Sequence, residues 1–263
     1  GDHVVLHWKK GSGIESATPK YLWKNKIVNA GLVTTFNEKA VVSENRITKI
    51  DKYVNLETAS LYGCALTTGF GVINNDAKSK IGESILIIGA GGVGLSEILA
   101  AKLVSNFPII AVDIFKKKLK LAKEIGADFV LLVNKNLEKQ ILKINNNRKI
   151  DIVVENTGII ENIEFAYNIT KSSGNTILVG VPKFSKKVKI GTLPLHFDKV
   201  LKGSHGGNAN PSKDIPNYMN FINKKKINLK KLITNKYDLR NINDAIYDMK
   251  IGKCLGRAII KMK

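Results

Sequence analysis

The chain has 263 residues, of which 44% are hydrophobic, and a formal net charge of +20, so it can bury the core of one large or two modest domains. It contains no apolar run long enough to span a bilayer and no signal peptide, which indicates a cytoplasmic protein with no membrane partner. Its 42 basic residues include only four arginines, and no basic stripe is interleaved with aromatic residues, which argues against nucleic acid as a partner. Two cysteines are too few for a disulfide framework.

The N-terminal region has few patterns typical of a self-sufficient fold. Its apolar residues predict strands over Gly1–Leu6 and Phe36–Val42, and we expect a polar loop from Lys9 to Asn29 between them. This region therefore needs another part of the chain to complete a domain.

The central region, from about Gly82 to Gly203, alternates strand and helix patterns. Such alternation predicts an α/β fold with a doubly wound parallel sheet. The predicted strands are Ser84–Ile88, Ile109–Val112, Phe129–Val133, Asp151–Val154, Thr176–Val179 and Val200–Lys202, and the predicted helices are Gly92–Val104, Lys116–Ile125, Leu137–Ile144 and Ile160–Thr170.

The C-terminal region begins at about His205. It contains helical patterns over Ile215–Lys224 and Ile242–Lys250, followed by a strand pattern over Arg257–Lys261. The simplest architecture inserts the central α/β domain into a second domain that is built from both ends of the chain.

A glycine-rich turn follows the first strand of the central region, with the pattern Gly89-x-Gly91-x-x-Gly94 and a further glycine at Gly92. Gly89 permits a tight turn, Gly91 lets a pyrophosphate approach the backbone, and Gly94 lets the helix pack closely on the strand. The N–H groups of the turn and the positive end of the helix then face the phosphates. Because strand, turn and helix occur in this order, the pattern predicts a dinucleotide site on a Rossmann sheet.

An acid ends the next strand of the sheet. Asp113 lies 19 residues after Gly94, where a carboxylate can accept hydrogen bonds from the hydroxyls of the adenosine ribose. Its charge would repel a 2′-phosphate, which favours NAD over NADP. Lys118 and the two lysines before it are cations that could accommodate that phosphate, although a solvated helix start explains them more simply.

Six motifs, taken together, resemble the zinc-type alcohol dehydrogenases of the medium-chain dehydrogenase/reductase superfamily, over essentially the whole chain. They occur in family order at Gly1–Val5, Phe36–Val42, Gly63–Gly71, Val179–Pro182, Gly203–Gly207 and Gly256–Arg257. The resemblance implies a Rossmann domain over 64–204 and the remnant of a GroES-like, β-rich catalytic domain over 1–63 and 205–263. It also implies that the family's N-terminal part is absent from this chain.

The resemblance implies a hydride transfer between NAD and an alcohol or polyol, with a catalytic zinc that stabilises the alkoxide. Cys64 matches the third zinc ligand of the family, although a buried core cysteine is the alternative. The other two ligands would lie upstream, so we expect the chain alone to be inactive. The loop from Lys9 to Asn29 has no cysteine, so no structural zinc is expected. Cys254 matches no ligand position.

The resemblance also assigns cofactor contacts to matching positions. Thr68 would lie beside the nicotinamide, and Val93 would lie behind its ring. Thr157 and Gly158 would border the adenosine, and the segment Val179, Gly180 and Val181 would contact the carboxamide. Arg257 would bind the pyrophosphate. Three of these residues have a structural alternative, which is a helix position for Thr68, an ordinary core position for Val93 and a surface arginine at a strand start for Arg257.

Two other functional interpretations stay open. A zinc-free enone or quinone reductase of the same superfamily would share the fold, but it would not need the thiolate of Cys64. A non-catalytic dinucleotide-binding module is the second alternative. The resemblance further implies a homodimer or homotetramer, for which the alternating segment Lys187–Gly191 is a candidate edge strand.

Overall fold

A computed structural model describes residues 1–29 and 31–262. They form two compact units, one made of residues 1–67 and 209–263 and the other of residues 68–208. The strands are β1 (His3–Leu6), β2 (Lys20–Trp23), β3 (Lys26–Asn29), β4 (Ile47–Ile50), β5 (Ile85–Ile88), β6 (Ile109–Asp113), β7 (Phe129–Leu132), β8 (Ile150–Glu155), β9 (Thr170–Leu178), β10 (Val200–Gly203), β11 (Ile233–Asp238) and β12 (Arg257–Lys261). The α-helices are α1 (Leu56–Ala59), α2 (Ala65–Gly71), α3 (Gly92–Val104), α4 (Lys116–Ile125), α5 (Leu137–Ile144), α6 (Ile160–Ile169), α7 (Pro211–Lys224) and α8 (Ile242–Lys250).

The unit of residues 68–208 contains a six-stranded parallel sheet in the order β10-β9-β8-β5-β6-β7. Its central strand β5 consists of apolar residues that are at most 4% exposed, as expected of a parallel strand covered on both faces. The chain moves outward from β5 through β6 to β7, and then returns to β8 on the other side of β5. The predicted doubly wound sheet is confirmed, and its topological switch point lies between β5 and β8.

The predicted helices of this sheet agree closely with the structure, and the main difference lies at the strand β9. This strand begins at Thr170 rather than Thr176, and the expected helix ends one residue earlier, at Ile169. Its first part pairs with β8 across an irregularity between Ile150 and Ile152. The polar segment 171–175 hides this pairing in the sequence, because a strand is usually recognised by its apolar residues.

The unit of residues 1–67 and 209–263 contains three two-stranded ladders, β1–β4, β2–β3 and β11–β12. The predicted strand at Phe36–Val42 is wrong, since the structure has no strand there and Phe36 is 61% exposed. The partner of β1 is instead β4, in an antiparallel register from His3 opposite Ile50. Thr48 and Ile50 of β4 are buried, whereas Phe36 and Val41 of the earlier segment are exposed.

The polar loop expected between Lys9 and Asn29 contains the hairpin β2–β3. Lys24 and Asn25 form its two-residue turn, and both have positive φ angles, 47° and 61°, as hairpin turns that match the strand twist require. The edge strand expected at Lys187–Gly191 is also wrong. This segment forms no ladder, and β10 is the edge of the sheet on that side.

Candidate functional site

The glycine-rich turn leaves β5 at the switch point of the sheet. Gly89 has a φ of +95°, which disfavours any residue with a side chain. Its N–H donates to the carbonyl of Val112 on β6, at 2.8 Å. A Cβ atom at Gly89 would lie 3.3 Å from Cβ of Asn156 and 3.2 Å from Cγ2 of Thr157. The turn after β5 and the turn after β8 therefore face each other closely.

The other two glycines of the motif differ in their surroundings. A Cβ atom at Gly94 would overlap the carbonyl oxygen of Gly89, so only glycine lets α3 pack this closely on the turn. A Cβ atom at Gly91 would meet no atom within 4 Å. The backbone at Gly91 thus borders open space, as a phosphate cradle requires.

The first turn of α3 presents backbone N–H groups that no side chain caps. Gly91 is the N-cap residue, and as a glycine it has no side chain that could accept from these N–H groups. The short helix α1, in contrast, is capped by the side chain of Asn55, whose Oδ1 accepts from the N–H of Thr58 at 3.1 Å. With the positive end of its dipole uncapped and open space beside Gly91, α3 is suited to an anionic group.

Asp113 lies at the end of β6, and its residue is 8% exposed. Its Oδ2 accepts from the N–H of Ala90 at 2.9 Å, and its Oδ1 accepts from the N–H of Phe115 at 2.9 Å. These bonds fix the carboxylate beside the glycine-rich turn and leave lone pairs on both oxygens for further donors. Lys118 is half-buried, with its Nζ 5.1 Å from the ring centre of Phe115.

Glu155 organises the turn after β8, and sequence analysis missed it. Its side chain is fully buried, and it accepts hydrogen bonds from the N–H of Thr157 at 2.6 Å, the N–H of Gly158 at 2.9 Å and the hydroxyl of Thr157. Gly158 has a φ of +68°. A carboxylate that accepts several backbone N–H groups holds a turn rigidly. The signal was an acid at the end of a buried strand, two residues before Thr-Gly.

The turn after β9 lies against the turn after β8. The N–H groups of Val179 and Gly180 both donate to the carbonyl of Glu155, at 2.8 and 2.9 Å. A Cβ atom at Gly158 would lie 2.7 Å from the carbonyl oxygen of Val181. Val181 itself is 89% exposed. Because the N–H of Val179 already has a partner, its carbonyl is the backbone group left for a carboxamide.

Of the remaining predicted residues, Val93 lies half-buried in the first turn of α3, and Thr68 is 7% exposed within α2. Cys64 and Arg257 belong to the other unit, where Arg257 is half-buried at the start of β12. Cys64 is exposed, so the alternative of a buried core cysteine is wrong for it. Cys254 is buried, with its Sγ 3.6 Å from the hydroxyl of Tyr237.

A metal site needs several donors in one place. Within residues 1–29 and 31–262, no group of three or more His, Cys, Asp or Glu residues could hold a metal ion. A catalytic zinc needs three protein ligands. The donors present around Cys64 therefore do not fit a zinc ion by themselves.

In the same described ranges, no helix has the length and apolar character needed to cross a membrane.

A cavity of the 68–208 unit lies elsewhere. It has a volume of about 700 Å³ and is lined by residues at the amino ends of the strands, among them Ser84, Pro108 and Asp151. Ligands of open α/β sheets bind at the carboxyl ends of the strands. We therefore place the candidate site at the three turns that follow β5, β8 and β9, not in this cavity.

Comparisons with known proteins show which family this chain resembles. A sequence model of the family described as zinc-binding dehydrogenase matches residues 92–224. Alcohol dehydrogenase 6 of Peromyscus maniculatus is 35% identical over 225 residues, which cover 84% of this chain and 60% of that protein. Alcohol dehydrogenase 1 of Pisum sativum is 33% identical over 235 residues, which cover 88% of this chain and 61% of that protein.

Solved structures share the fold as well. The benzyl alcohol dehydrogenase of Acinetobacter calcoaceticus superposes with a TM-score of 0.79 at 30% identity, covering 84% of this chain and 61% of that one. The chain thus spans about 60% of the length of the relatives it matches.

Proposed function

Because this chain belongs to the zinc-binding dehydrogenase family, we propose that its 68–208 unit binds NAD(H) and that the whole protein transfers a hydride between this cofactor and an alcohol or polyol, or the matching aldehyde or ketone. The bound nicotinamide supplies the hydride acceptor. The observation that carries the proposal is the open space beside Gly91, at the uncapped start of α3. A pyrophosphate there would accept hydrogen bonds from the first N–H groups of the helix.

Asp113 decides the choice of cofactor in this proposal. Its buried carboxylate is fixed beside Ala90 by a backbone hydrogen bond, so it can accept from the ribose hydroxyls but would repel a 2′-phosphate. Lys118 lies in the first turn of α4, the helix that follows β6. Its position over the ring of Phe115 makes it a wall of the adenosine site in our proposal rather than a phosphate ligand.

The remaining contacts follow the resemblance and the placement of the turns. We assign the adenosine border to Thr157 and Gly158, whose turn Glu155 holds rigid. From the resemblance we assign the nicotinamide end to Thr68 of α2, to Val93 of α3 and to Val179, Gly180 and Val181 of the turn after β9. The resemblance likewise assigns the pyrophosphate to Arg257.

Zinc belongs to the whole protein in this proposal. Cys64 would contribute one thiolate, and the remaining ligands would come from residues outside this chain, as the family resemblance implies. We expect the 263-residue chain alone to bind the dinucleotide but to oxidise no alcohol. We further propose that the protein is cytoplasmic and forms a homodimer or homotetramer. The loop 9–29 has no cysteine, so the proposal includes no structural zinc.

The experiment is a fluorescence titration of NADH into the chain and two glycine variants. Gly91→Ala adds a methyl group where the protein leaves open space, so folding should be unchanged while the dissociation constant rises at least about tenfold, because the methyl occupies the phosphate cradle. Gly203→Ala is the matched control. A Cβ atom there also meets nothing within 4 Å, but Gly203 belongs to β10 and not to the glycine-rich turn. Equal affinities for wild type and Gly91→Ala, with both folded, would reject the proposed site.

A further inference from the structure

Beneath the glycine-rich turn, a fully buried acid pairs with an amide across two elements of the sheet unit. Glu97 lies on α3 and is 0% exposed, and Asn156 is the first residue after β8. Nδ2 of Asn156 donates to Oε2 of Glu97 at 2.7 Å. The second oxygen of each group, Oε1 of Glu97 and Oδ1 of Asn156, is buried and has no hydrogen-bond partner in the described part of the chain.

The two unpartnered atoms indicate the charge state of the acid. If Glu97 is ionised, Oε1 and Oδ1 are both acceptors and neither can satisfy the other. A proton on Oε1 turns that atom into a donor. Oδ1 of Asn156, which belongs to the amide that Glu97 already contacts, is then the matching acceptor. A buried polar group without a partner is costly, so the protonated form resolves both deficits with one bond.

The charges around Glu97 support the same state. Glu97 takes part in no ion pair among the described residues. Burial, and to a smaller degree the carboxylate of Glu155, raise the pKa of Glu97 to about 8, against the hydrogen bond from Asn156, which lowers it. The elements packed against α3 include β5, β6, α4 and the turn 72–76. Their titratable residues are Asp76, Asp113, Lys116, Lys117, Lys118, Lys120, Lys123 and Glu124.

The two acids of this set that lie next to α3 have partners of their own. Asp76 pairs with Nζ of Lys202 at 2.8 Å, and Asp113 accepts from two backbone N–H groups. The carboxylate of Glu155 is likewise held by the turn that follows it. The carboxyl group of Glu97, in contrast, has only the amide of Asn156 as a hydrogen-bond partner among the described residues.

We propose that Glu97 is held protonated and donates from Oε1 to Oδ1 of Asn156, so that a two-bond acid–amide pair ties α3 to the turn after β8 and positions the walls of the dinucleotide site. The inference rests on the proposed function for its ligand. A shift of Asn156 would move the turn against which Gly89 is packed, since a Cβ atom at Gly89 would lie 3.3 Å from Cβ of Asn156. Glu97 and Asn156 are positioning residues in this account.

The pair predicts an effect of pH on stability and another on binding. The effect on stability has the opposite direction to that of an ordinary ion-paired carboxylate. The folded chain keeps the proton up to a pH of about 8, whereas the unfolded chain loses it near 4.5. Stability from this group is therefore fully present below about pH 4.5 and falls as the pH rises towards 8, with the unfolding constant rising up to about tenfold per pH unit. Above pH 8 the dependence levels off, because the carboxylate is then ionised in both states.

Binding should weaken on the alkaline side. Glu97 is protonated in about nine-tenths of the molecules at pH 7 and in about one-tenth of them at pH 9. If only the protonated form has its walls in position, the dissociation constant for NADH rises about tenfold between these two pH values.

The test compares wild type with Glu97→Gln and Asn156→Ala. Glutamine has the shape of the protonated acid and donates to Oδ1 at every pH, so this variant should bind NADH at pH 7 within about twofold of wild type and show no loss at pH 9. Asn156→Ala removes both bonds and should weaken binding already at pH 7. Infrared spectra should show the carbonyl stretch of a protonated carboxyl in wild type at pH 7, and this band should be missing in Glu97→Gln.

The outcomes separate this inference from the proposed function. Identical pH profiles for wild type and Glu97→Gln, in both binding and unfolding, together with no difference in the carboxyl band, would overturn the acid–amide pair. Failure of all folded chains to bind NADH would reject the proposed function, and the unfolding profiles and the infrared band would then still decide the protonation of Glu97.

Discussion

The two units of the chain bury their strands to very different extents. In the 68–208 unit, every residue of β5 is buried between helices and neighbouring strands. In the other unit, every residue of β3 is exposed, and Ile27 is 68% exposed. A wholly apolar strand, Ile-Leu-Ile-Ile, thus lies in the core of one unit, whereas a half-polar strand, Lys-Ile-Val-Asn, forms a surface hairpin of the other. The hairpin β2–β3 therefore depends much less on burial than the central strand of the sheet does.

The largest effect should come from one substitution made in both units. Ile87→Ala on β5 removes a side chain that is 0% exposed, and we expect it to cost about 2–5 kcal/mol of unfolding free energy. Ile27→Ala on β3 is the matched control and should change stability by less than about 0.5 kcal/mol. Urea denaturation followed by circular dichroism measures both. Equal losses in the two variants would contradict the contrast between the units.

Sequence patterns predicted the sheet unit well for the same physical reason. The helices α3, α4 and α5 have the predicted bounds. The apolar residues of α4 and α5 recur at helical spacing, and buried strands such as β5 and β6 are continuous apolar runs. The resemblance to zinc-type alcohol dehydrogenases is confirmed by the family match over residues 92–224. Tight glycine turns were also predictable, since their glycines follow strands directly.

The ladders of the other unit were harder to predict. Four-residue strands such as β2, β3 and β4 contain too few residues for a period to stand out, and their pairing depends on partners distant in sequence. Phe36–Val42 has a better strand pattern than β4 but remains exposed, since pairing and burial, not pattern, decide which segment forms a strand.

The interior polar residues of the site were missed for another reason. Glu155 acts locally, on the turn that directly follows it, whereas the pair of Glu97 with Asn156 depends on a contact between elements 59 residues apart in the chain. A single sequence does not reveal that a polar residue on a helix will face another on a strand end. The roles of individual site residues therefore stay predictions, whereas the fold is established.

A smaller effect should follow from neutralising Asp113, the acid beside the glycine-rich turn. Asp113→Asn keeps the shape of the side chain and one acceptor oxygen but removes the charge that would repel a 2′-phosphate. We expect wild type to prefer NADH over NADPH and the variant to narrow this preference by about tenfold, or about 1.4 kcal/mol. Parallel fluorescence titrations measure the ratio. Equal affinity of wild type for the two cofactors would refute the role of Asp113.

The most direct test of the account locates the ligand on the sheet. We would record amide chemical shifts of the isotope-labelled chain during a titration with NAD. The account predicts that the largest shift changes fall on residues 89–94 and 155–158, which form the turns at the carboxyl ends of β5 and β8. Changes confined to the cavity at the opposite end of the strands, around Ser84, Pro108 and Asp151, would contradict it.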